Sequence, residues 1–505
     1  MPAEAATRTA EGKPLPAPCD LEGSLPLDAA GAALVSRARR DVASILSGHD
    51  DRLLVVVGPC SVHDPAAALE FAQRLAEAAR AHADDLVLVM RVYFEKPRTV
   101  SGWKGFANDP GLDGSFDVCR GLRQARELLL EITRLGVAAA TEFLDPIIAP
   151  FYADMVSLGV IGARTVESQV HRGLASGLQM PVGFKNRTDG DIMVAVDAMR
   201  AARFPHWLPS LTQAGAHSVR VTDGNKRTLL ILRGGTSGPN YASADVRAAA
   251  RTLRRFGLPP HLVVDCSHAN SGKDPGRQPA VAAAVAAQVR SGERAIAGVM
   301  IESNLVGGMQ DPERRPLVYG QSITDGCLAW ESTLPVLGNL AAAARARRTA
   351  VESGRAAPEE APPAAPEPEP MPEALTLLIA DDEQAARDRL LALLPKGPSL
   401  QVVAQCETGT EALEAIRRLK PDIALLDMQM PGLDGLGVVT ALEAWERPAV
   451  IFVTAHERFA VEAFGVRAAD YVLKPFDRQR LAVAIGRAAE FAQARRERAG
   501  GPAAP

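Results

Sequence analysis

The sequence predicts an α/β protein built from two parts, and three observations support this prediction. Between residues 51 and 350, short β-branched runs alternate with Ala-rich amphipathic stretches. The same alternation returns over a shorter length after residue 374, and a proline-rich segment separates the two parts. The first part is long enough for a (β/α)8 barrel or an open doubly wound sheet, and the second suits a five-stranded, flavodoxin-like doubly wound sheet.

Seven strands are predicted in the first part from runs rich in Val, Ile and Leu. They cover residues 53–57, 86–92, 137–141, 182–185, 229–232, 262–265 and 298–301. A G-x-G-x-x-G motif does not follow the first of these strands. This argues against a dinucleotide-binding form of the open sheet.

Composition sets the predicted domain boundaries. Residues 358–372 contain seven prolines among Ala and Glu. Because proline favours an extended chain, this segment is expected to be a spacer about 45 Å long. We therefore predict an N-terminal extension over 1–50, a barrel over 51–350, a linker over 351–374, a second domain over 375–498 and a flexible tail over 499–505.

Charge and cysteine content narrow the class of protein. Lys and Arg total 56 against 60 Asp and Glu, for a formal net charge of -4, so no broad electrostatic attraction to DNA or an anionic membrane is expected. The six cysteines form no C-x-x-C pair, which fits a reducing compartment. With no run approaching ~20 apolar residues, we predict a cytoplasmic protein without DNA or membrane partners.

Four potential metal ligands follow predicted strands of the first part: Cys60, His268, Glu302 and Asp325. Cys60 alone would more often be a buried structural thiol. In a barrel, however, the carboxyl ends of the strands meet at one face. Thiolate, imidazole and carboxylate donors together indicate a divalent transition metal, with Mn, Fe, Co or Zn favoured over Mg or Ca.

Cationic residues also collect at these strand ends. They are Arg91, Lys96, Arg98, Arg164, Lys185 and Arg233. Any one of them could be a solvated surface charge, but six in such positions indicate anionic substrates that carry phosphate and carboxylate groups. Glu142, at the end of the third predicted strand, is expected to orient one of these cations or a water molecule.

The first part resembles the class I, alpha-type 3-deoxy-D-arabino-heptulosonate 7-phosphate (DAHP) synthases over residues 20–350. The resemblance lies in GPCSVHDP (58–65), MRVYFEKPRTVSGWKG (90–105), IGARTVESQVHR (161–172), PVGFKNRTDG (181–190), ILRGG (231–235), DCSHANSGK (265–273), GVMIESNLVGG (298–308) and QSITDGC (321–327). It implies a TIM barrel. It also implies 3-deoxy-7-phosphoheptulonate synthase activity, the condensation of phosphoenolpyruvate with erythrose 4-phosphate that begins the shikimate pathway of aromatic amino acid biosynthesis.

The same resemblance implies residue roles. The metal ligands are Cys60, His268, Glu302 and Asp325; phosphoenolpyruvate binds Arg91, Ala163, Arg164, Lys185 and Arg233, near Glu142; erythrose 4-phosphate binds Lys96, Pro97, Arg98 and Thr99. Catalytic roles fall to Arg91, Lys96, Glu142 and Lys185. A homodimer or homotetramer is also implied, with an aromatic amino acid effector bound near residues 14–50, 146–152, Gln179 and 206–212.

Two alternatives to this function stay open. One is a two-component signalling protein whose barrel only senses a metabolite, which would be expected to lack some catalytic positions. The other is the related 3-deoxy-octulosonate 8-phosphate synthase, which uses arabinose 5-phosphate. The context of the KPRT loop and the YGQSITDGC ending favour the four-carbon sugar.

Five chemically active residues follow the predicted strands of the second part, at 375–380, 401–404, 423–426, 450–453 and 470–473. Asp381 and Asp382 come after the first strand, Asp427 after the third, Thr454 after the fourth and Lys474 after the fifth. Three converging carboxylates would repel one another unless a cation lay between them, and oxygen ligands indicate Mg. One carboxylate could then act as the nucleophile toward a phosphoryl group.

The second part resembles a response-regulator receiver domain in IADDE (379–383), LLDMQMPGLDG (425–435), VTAHE (453–457) and DYVLKPF (470–476). The resemblance implies that Asp427 accepts a phosphoryl group from a histidine kinase or a small phosphodonor, that Asp381, Asp382 and Asp427 hold Mg, and that Thr454, Tyr471 and Lys474 form the switch. Residues 455–476 resemble receivers that precede a LytTR-type DNA-binding domain. Because only one further helix is predicted, the barrel is expected to be the regulated output.

Overall fold

The computed structural model describes residues 14–98, 102–353, 375–394, 400–443, 446–454 and 468–474, together with residue 476 and parts of 480–492. The chain divides into two compact units, Met1–Pro362 and Pro363–Pro505. The start of the predicted N-terminal extension, Thr99, most of the predicted linker and the predicted tail lie outside the described residues. The proposed domain boundaries therefore stay predictions.

Eight parallel strands close into a barrel in the first unit. They are β1 (Leu53–Gly58), β2 (Leu86–Arg91), β3 (Ala138–Glu142), β4 (Val156–Ile161), β5 (Val182–Lys185), β8 (Thr228–Leu232), β9 (Leu262–Asp265) and β10 (Ile296–Asn304). Each pairs with the next, and β1 pairs with β10 in a register that sets Leu54 opposite Gly298. The closed barrel is confirmed, and the open sheet is wrong.

The seven predicted strands are present, five of them with shifted ends, but β4 was not among them. Its sequence, VSLGVI, contains Ser157 and Gly159 within a short apolar run, which weakens the β-branched pattern. All six residues are buried. Strands such as β1 and β2 are equally buried but are continuous runs of Leu, Val and Met, so they were recognised.

Helices surround the barrel and close one end of it. They are α1 (Pro18–Ser24), α2 (Ala29–Leu46), α3 (Pro65–Ala81), α4 (Val118–Arg134), α5 (Gln169–Gly177), α6 (Met193–Ala202), α7 (Ser243–Arg255), α8 (Gln278–Arg290) and α9 (Trp330–Glu352). The Asp28 side chain caps α2 by accepting a hydrogen bond from the Gly31 amide at 2.7 Å. Val42 and Ile45 of α2 join the cluster of strand side chains that fills the barrel interior.

Short strands and 3₁₀ helices complete the first unit. The strands are β6 (Trp207–Leu211), β7 (His217–Val221), β11 (Val306–Met309), β12 (Gln321–Ser322) and β13 (Leu328–Ala329); the 3₁₀ helices are Ala149–Phe151, Ala153–Met155, His268–Asn270 and Pro275–Arg277. β6 and β7 form an antiparallel hairpin between α6 and β8 that the strand pattern did not predict. Trp207 and Val219 on this hairpin are exposed.

The second unit is a five-stranded, parallel, doubly wound sheet, as predicted. Its elements are β14 (Leu375–Ala380), α10 (Gln384–Leu393), β15 (Leu400–Cys406), α11 (Gly409–Leu419), β16 (Ile423–Leu426), α12 (Gly435–Thr440), β17 (Ala449–Thr454) and β18 (Asp470–Leu473). The strand order is β15-β14-β16-β17-β18. Two hydrophobic clusters cover the two faces of the sheet. The carboxyl ends of β14 and β16, which carry the candidate aspartates, are neighbours.

Across the described part of the chain, every helix falls short of the length and apolarity that a bilayer crossing requires.

A buried arginine near the end of α9 holds the amino-terminal end of the barrel together. Arg347 donates hydrogen bonds to the carbonyl oxygens of Ile296 at 2.8 Å and Glu293 at 3.3 Å, on the approach to β10, and to that of Asp51 at 2.9 Å, just before β1. Burial lowers the pKa of Arg347 to about 10. One side chain thus joins the last helix of the barrel to the two strands that close it.

We expect Arg347→Met to destabilise the barrel by about 3 kcal/mol, because three carbonyl groups lose their partner. Differential scanning calorimetry should show the barrel transition shifted to lower temperature. Arg290→Met is the matched control, since exposed Arg290 of α8 donates to the Asn339 side chain at 2.9 Å and not to the backbone of a closing strand in the described part of the chain. Equal shifts in the two variants would contradict the role given to Arg347.

Candidate active site

Three potential metal ligands lie together at the carboxyl end of the barrel. Cys60 follows β1, Glu302 belongs to β10, and Asp325 follows β12; one donor atom from each lies within 4.8 Å of the others. The sulfur of Cys60 is 3.5 Å from Oδ2 of Asp325. Cys60 and Glu302 are buried, whereas Asp325 is more exposed. The cluster is therefore open on the side of Asp325.

His268, the fourth predicted ligand, borders this cluster. Its Nε2 lies 3.9 Å from Oε1 of Glu302, and its Nδ1 lies 2.9 Å from Oδ2 of Asp265. Ser267 adds a hydroxyl contact to Nδ1 at 2.8 Å. A carboxylate on one ring nitrogen fixes the ring and leaves the other nitrogen free to bind a metal.

The surroundings of Cys60 show why this cluster suits a cation. Burial and the Glu302 carboxylate raise the pKa of the Cys60 thiol to about 11, although Lys96 acts in the opposite direction. The ammonium group of Lys96 lies 3.0 Å from the Cys60 sulfur. A divalent ion among the sulfur and carboxylate donors would stabilise the thiolate. The donor set thus fits a transition metal.

Arg91, at the end of β2, is fully buried beside the same cluster. Its Nη2 lies 3.0 Å from Oε1 of Glu302, and its guanidinium carbon lies 4.0 Å from the centre of the Tyr93 ring. Its Nη1 contacts the sulfur of Met300 at 2.8 Å. These contacts fix the guanidinium in one position before any substrate arrives.

Lys185 is held from β9, two strands along the barrel from its own strand, by a residue that the sequence reasoning missed. Its Nζ lies 3.2 Å from Oδ2 of Asp265, the fully buried last residue of β9. Burial opposes ionisation of Asp265, but His268 and Lys185 hold its pKa well below the usual range. Asp265 therefore pairs with a candidate substrate lysine and a candidate ligand histidine. The available signal was a strand-end carboxylate three residues before His268.

The remaining predicted substrate residues differ in their placement. Arg233 is buried, and its Nη1 lies 3.4 Å from the carbonyl oxygen of Gly234. Arg164 is exposed and donates to the carbonyl oxygen of Pro97 at 2.8 Å, which joins two of the predicted substrate loops. Exposed Arg98 donates to the carbonyl oxygen of Trp103, so its guanidinium bonds within its own loop.

Glu142 and Ala163 flank a close approach of two loops. A Cβ at Gly162 would lie 2.1 Å from Oε1 of Glu142, so a larger residue there would displace the Glu142 carboxylate. Glu142 is 7% exposed at the end of β3, and half-buried Ala163 comes directly after Gly162. Glu142 thus lines the barrel mouth beside the loop that carries Arg164.

Glu95 is a second residue that the sequence reasoning missed. Its carboxyl group is buried and accepts hydrogen bonds from the amides of Leu144 and Asp145, at 3.3 and 3.1 Å, and from the hydroxyl of Tyr152 at 3.3 Å. Burial raises the pKa of Glu95 to about 8. Glu95 directly precedes Lys96, so these bonds tie the base of the Lys96 loop to the loop after β3. Its position next to the KPR sequence was the only signal.

The second unit has its own acidic cluster at the carboxyl ends of β14 and β16. One carboxylate oxygen from each of Asp381, Asp382 and Asp427 lies within 4.8 Å of the others. Nζ of Lys474 lies 2.6 Å from Asp381 and 2.7 Å from Asp427. Burial raises the pKa of Asp381, and Lys474 acts in the opposite direction. Oxygen donors alone favour Mg here.

The predicted switch residues lie on or next to the last two strands of the sheet, β17 and β18. Thr454 is buried at the end of β17, and the backbone amide of Lys474 donates to the Thr454 carbonyl oxygen at 2.7 Å. Tyr471 lies on β18, but its side chain is outside the described part of the structure, as are residues 455–467.

Comparisons with known proteins agree with this geometry. A Corynebacterium glutamicum protein named phospho-2-dehydro-3-deoxyheptonate aldolase is 52% identical over 346 residues, which cover 67% of this chain and 94% of that protein. The Trp-sensitive enzyme of that name from Enterobacter agglomerans is 53% identical, covering 66% of this chain and 97% of its own. A solved structure of the Francisella tularensis enzyme has a TM-score of 0.66 and 47% identity, and the match covers 67% of this chain and 99% of that one.

Family matches cover both units. Residues 377–486 match the response regulator receiver domain, and residues 30–337 match the DAHP synthetase I family. Relatives at about 50% identity carry the enzyme name over nearly their full length, so the barrel is that of a transferase. Because the match over residues 30–337 spans more than half of the sequence, this chain belongs to the DAHP synthetase I family, and it carries a response regulator receiver domain.

Proposed function

We propose that this chain condenses phosphoenolpyruvate with erythrose 4-phosphate, giving DAHP and phosphate, in a reaction that depends on a divalent transition metal. The observation that carries this proposal is the close group of Cys60, Glu302 and Asp325 donors beside buried Arg91 and half-buried Lys96. The names of the relatives support the same reaction.

Cys60, His268, Glu302 and Asp325 would hold the metal in this proposal. When bound, a Mn, Fe, Co or Zn ion would supply Lewis acidity toward the aldehyde oxygen of erythrose 4-phosphate. Asp265 keeps the His268 ring turned so that Nε2 lies on the Glu302 side.

Arg91, Lys185 and Arg233 bind phosphoenolpyruvate in this proposal, with Ala163 and Arg164 at the rim. Two anionic substrates repel each other, and fixed cations offset that repulsion. Arg91 and Lys185 suit this task because Glu302 and Asp265 already hold them in place. Little reorganisation is then needed when the substrate binds.

Lys96 acts on the second substrate. Burial opposes protonation of Lys96, but the neighbouring Cys60 and Glu302 raise its pKa above the usual value. Its Nζ is therefore protonated at neutral pH and can donate to the aldehyde oxygen as C3 of phosphoenolpyruvate attacks the aldehyde carbon. Pro97, Arg98 and Thr99 form the loop for the phosphate of erythrose 4-phosphate.

Completion of the reaction requires water at C2 of the phosphoenolpyruvate unit. We assign the orientation of that water to Glu142, whose carboxylate lines the barrel mouth. Phosphate then leaves with its bridging oxygen when the bond between carbon and oxygen breaks.

An effector site is proposed in a cavity of about 200 Å³ near α5 and the β6–β7 hairpin. Its lining includes Pro146, Pro150, Gln179, Leu208 and Ser210, which overlap the predicted effector region. Arg39 and Asp154 add charges of both signs, as the ammonium and carboxylate groups of an amino acid require. Relatives named Tyr-sensitive and Phe-sensitive support an aromatic amino acid there.

We further propose that the chain assembles as a homodimer or homotetramer. Trp207, Val219 and Val221 of the β6–β7 hairpin are 56% to 66% exposed. Exposed apolar side chains concentrated on one hairpin are typical of an interaction surface, and a second copy of this chain is the proposed partner.

We propose that the receiver domain regulates the barrel through phosphorylation of Asp427 by a histidine kinase or a small phosphodonor. Mg would bind Asp381, Asp382 and Asp427, while Thr454 and Lys474 would contact the phosphoryl oxygens. Tyr471 is the proposed rotamer switch. The resemblance of residues 455–476 to receivers of LytTR-type regulators stays a prediction, and most of that segment lies outside the described residues.

A direct assay distinguishes this function from its alternatives. We expect the intact chain with Mn to release phosphate from phosphoenolpyruvate in the presence of erythrose 4-phosphate, and to release it much more slowly with arabinose 5-phosphate. The reverse preference would favour the octulosonate synthase. Binding of phosphoenolpyruvate without turnover on either sugar would favour the metabolite sensor.

Cys60→Ala should remove metal binding and nearly all turnover while the barrel stays folded. We expect the affinity for Mn, measured by isothermal titration calorimetry, to fall at least tenfold, on the order of losses seen when a metal site is disturbed. Cys266→Ala is the control, because Cys266 is an equally buried thiol that packs in the cluster between strands and helices. Unchanged Mn affinity in Cys60→Ala would remove the thiolate from the metal site.

Beryllofluoride, a phosphoryl mimic, should alter catalysis through the receiver. We expect kcat/KM of the intact chain to change about fivefold or more, since coupling between sites is typically ~1–3 kcal/mol and a tether raises the effective concentration of the receiver. Asp427→Asn should abolish the response, whereas Asp388→Asn, at an exposed position on α10, should preserve it. Unchanged kinetics and oligomeric state in the intact chain would contradict regulation by the receiver.

A further inference from the structure

Three asparagines connect the carboxyl ends of β5, β8 and β9 by hydrogen bonds. Asn186 follows β5, Asn240 lies in the loop after β8, and Asn270 follows β9. Asn186 and Asn270 are buried and Asn240 is half-buried. We call Asn186, Asn240 and Asn270 the asparagine triad.

Asn186 joins the two strands that carry the proposed substrate cations. It comes directly after Lys185, and its Oδ1 accepts a hydrogen bond from the backbone amide of Arg233 at 2.8 Å. Its Nδ2 donates to the carbonyl oxygen of Gly234 at 2.9 Å and to that of Arg187 at 2.8 Å. One side chain thus fixes the backbone that presents Lys185 relative to the backbone that presents Arg233.

Asn240 and Asn270 extend this connection to the side of the barrel that carries His268. Asn240 donates from Nδ2 to Oδ1 of Asn186 at 3.2 Å and accepts from the Gly234 amide at 2.7 Å. Its own amide donates to Oδ1 of Asn270 at 2.9 Å. Nδ2 of Asn270 donates to the carbonyl oxygen of Asp265 at 2.8 Å. The triad therefore ends on the carbonyl of Asp265, which lies three residues before His268 and orients its ring.

Gly234 shows how closely these loops approach. Its φ is +71°, and a Cβ there would lie 2.8 Å from the amide nitrogen of Asn270. A larger residue would therefore push the loop after β8 away from the loop after β9. The loops after β8 and β9 can therefore pack this closely only with glycine at position 234.

We propose that the asparagine triad positions Lys185 and Arg233, relative to His268, for binding phosphoenolpyruvate. This inference rests on the proposed function. The three residues are positioning residues, since they bond to the backbone next to the substrate groups and to one another. A side-chain amide supplies both a hydrogen-bond donor and an acceptor, and it adds no charge between the cations and Asp265. When all the hydrogen bonds of a buried amide are made, its side chain is held in one orientation.

The test is the steady-state kinetics of Asn186→Ala under saturating Mn. We expect the KM for phosphoenolpyruvate to rise about tenfold or more, because small misplacements of binding groups are costly. The KM for erythrose 4-phosphate should stay within about twofold, because the Lys96 loop is held by Glu95 instead. A purely structural role would not separate the two substrates.

Asn225→Ala is the matched control. Asn225 is also buried, at 3% exposure, and its side chain also makes four hydrogen bonds, but it lies before β8, at the opposite end of the strand. These bonds join Asn225 to the backbone of Ala175, Leu178, Met180 and Arg227. Both variants should unfold at lower temperature, and only Asn186→Ala should raise the KM for phosphoenolpyruvate. An unchanged KM in Asn186→Ala, or an equal rise in both variants, would overturn the proposal.

A second variant and a binding measurement test the same proposal independently. If Asn186→Ala does not fold, Asn240→Ala carries the same expectation, since half-buried Asn240 bonds to both Gly234 and Asn186. Calorimetric binding of phosphoenolpyruvate to the Mn-loaded chain repeats the comparison without turnover. Wild-type binding without turnover would contradict the proposed function and leave the triad comparison intact. No binding by the wild-type chain would overturn both.

Discussion

Compensation of buried charge is the constraint on which the barrel site depends. Glu302 and Asp265 are 2% and 0% exposed, and an isolated carboxylate in such a place would be strongly unfavourable. Arg91 pairs with Glu302, and Lys185 pairs with Asp265. The same pairing that makes burial possible also holds the cations in fixed positions at the barrel mouth.

Cys60 differs from these paired carboxylates. Burial raises its pKa to about 11 despite Lys96 at 3.0 Å, so the protein alone leaves a thiol where the donor set calls for a thiolate. The receiver cluster differs, because Lys474 lies between two carboxylates at 2.6 and 2.7 Å. Sulfur and nitrogen donors distinguish the barrel site from the oxygen-only site of the receiver, and this difference separates a transition metal from Mg.

Contacts between the elements fix both ends of the barrel strands. At the amino-terminal end, α2 fills the interior and Arg347 binds backbone carbonyls on the approach to β1 and β10. At the carboxyl end, the asparagine triad joins the loops after β5, β8 and β9. The charged groups that face the substrates therefore lie on strands whose two ends are tied to their neighbours. A preorganised site requires its groups to be held in fixed positions in this way.

The sequence by itself determined the α/β class, seven barrel strands, all five receiver strands and the positions of the charged residues at their ends, because these depend on local runs of residue types. Closure of the barrel was decided only by the pairing of β1 with β10, which sets Leu54 opposite Gly298. β4 escaped prediction because Ser157 and Gly159 interrupt its run of apolar residues. Asp265, Glu95 and the asparagine triad were also decided by tertiary structure, since their partners lie in separate loops and are often backbone atoms, which leave no pattern in the residue types.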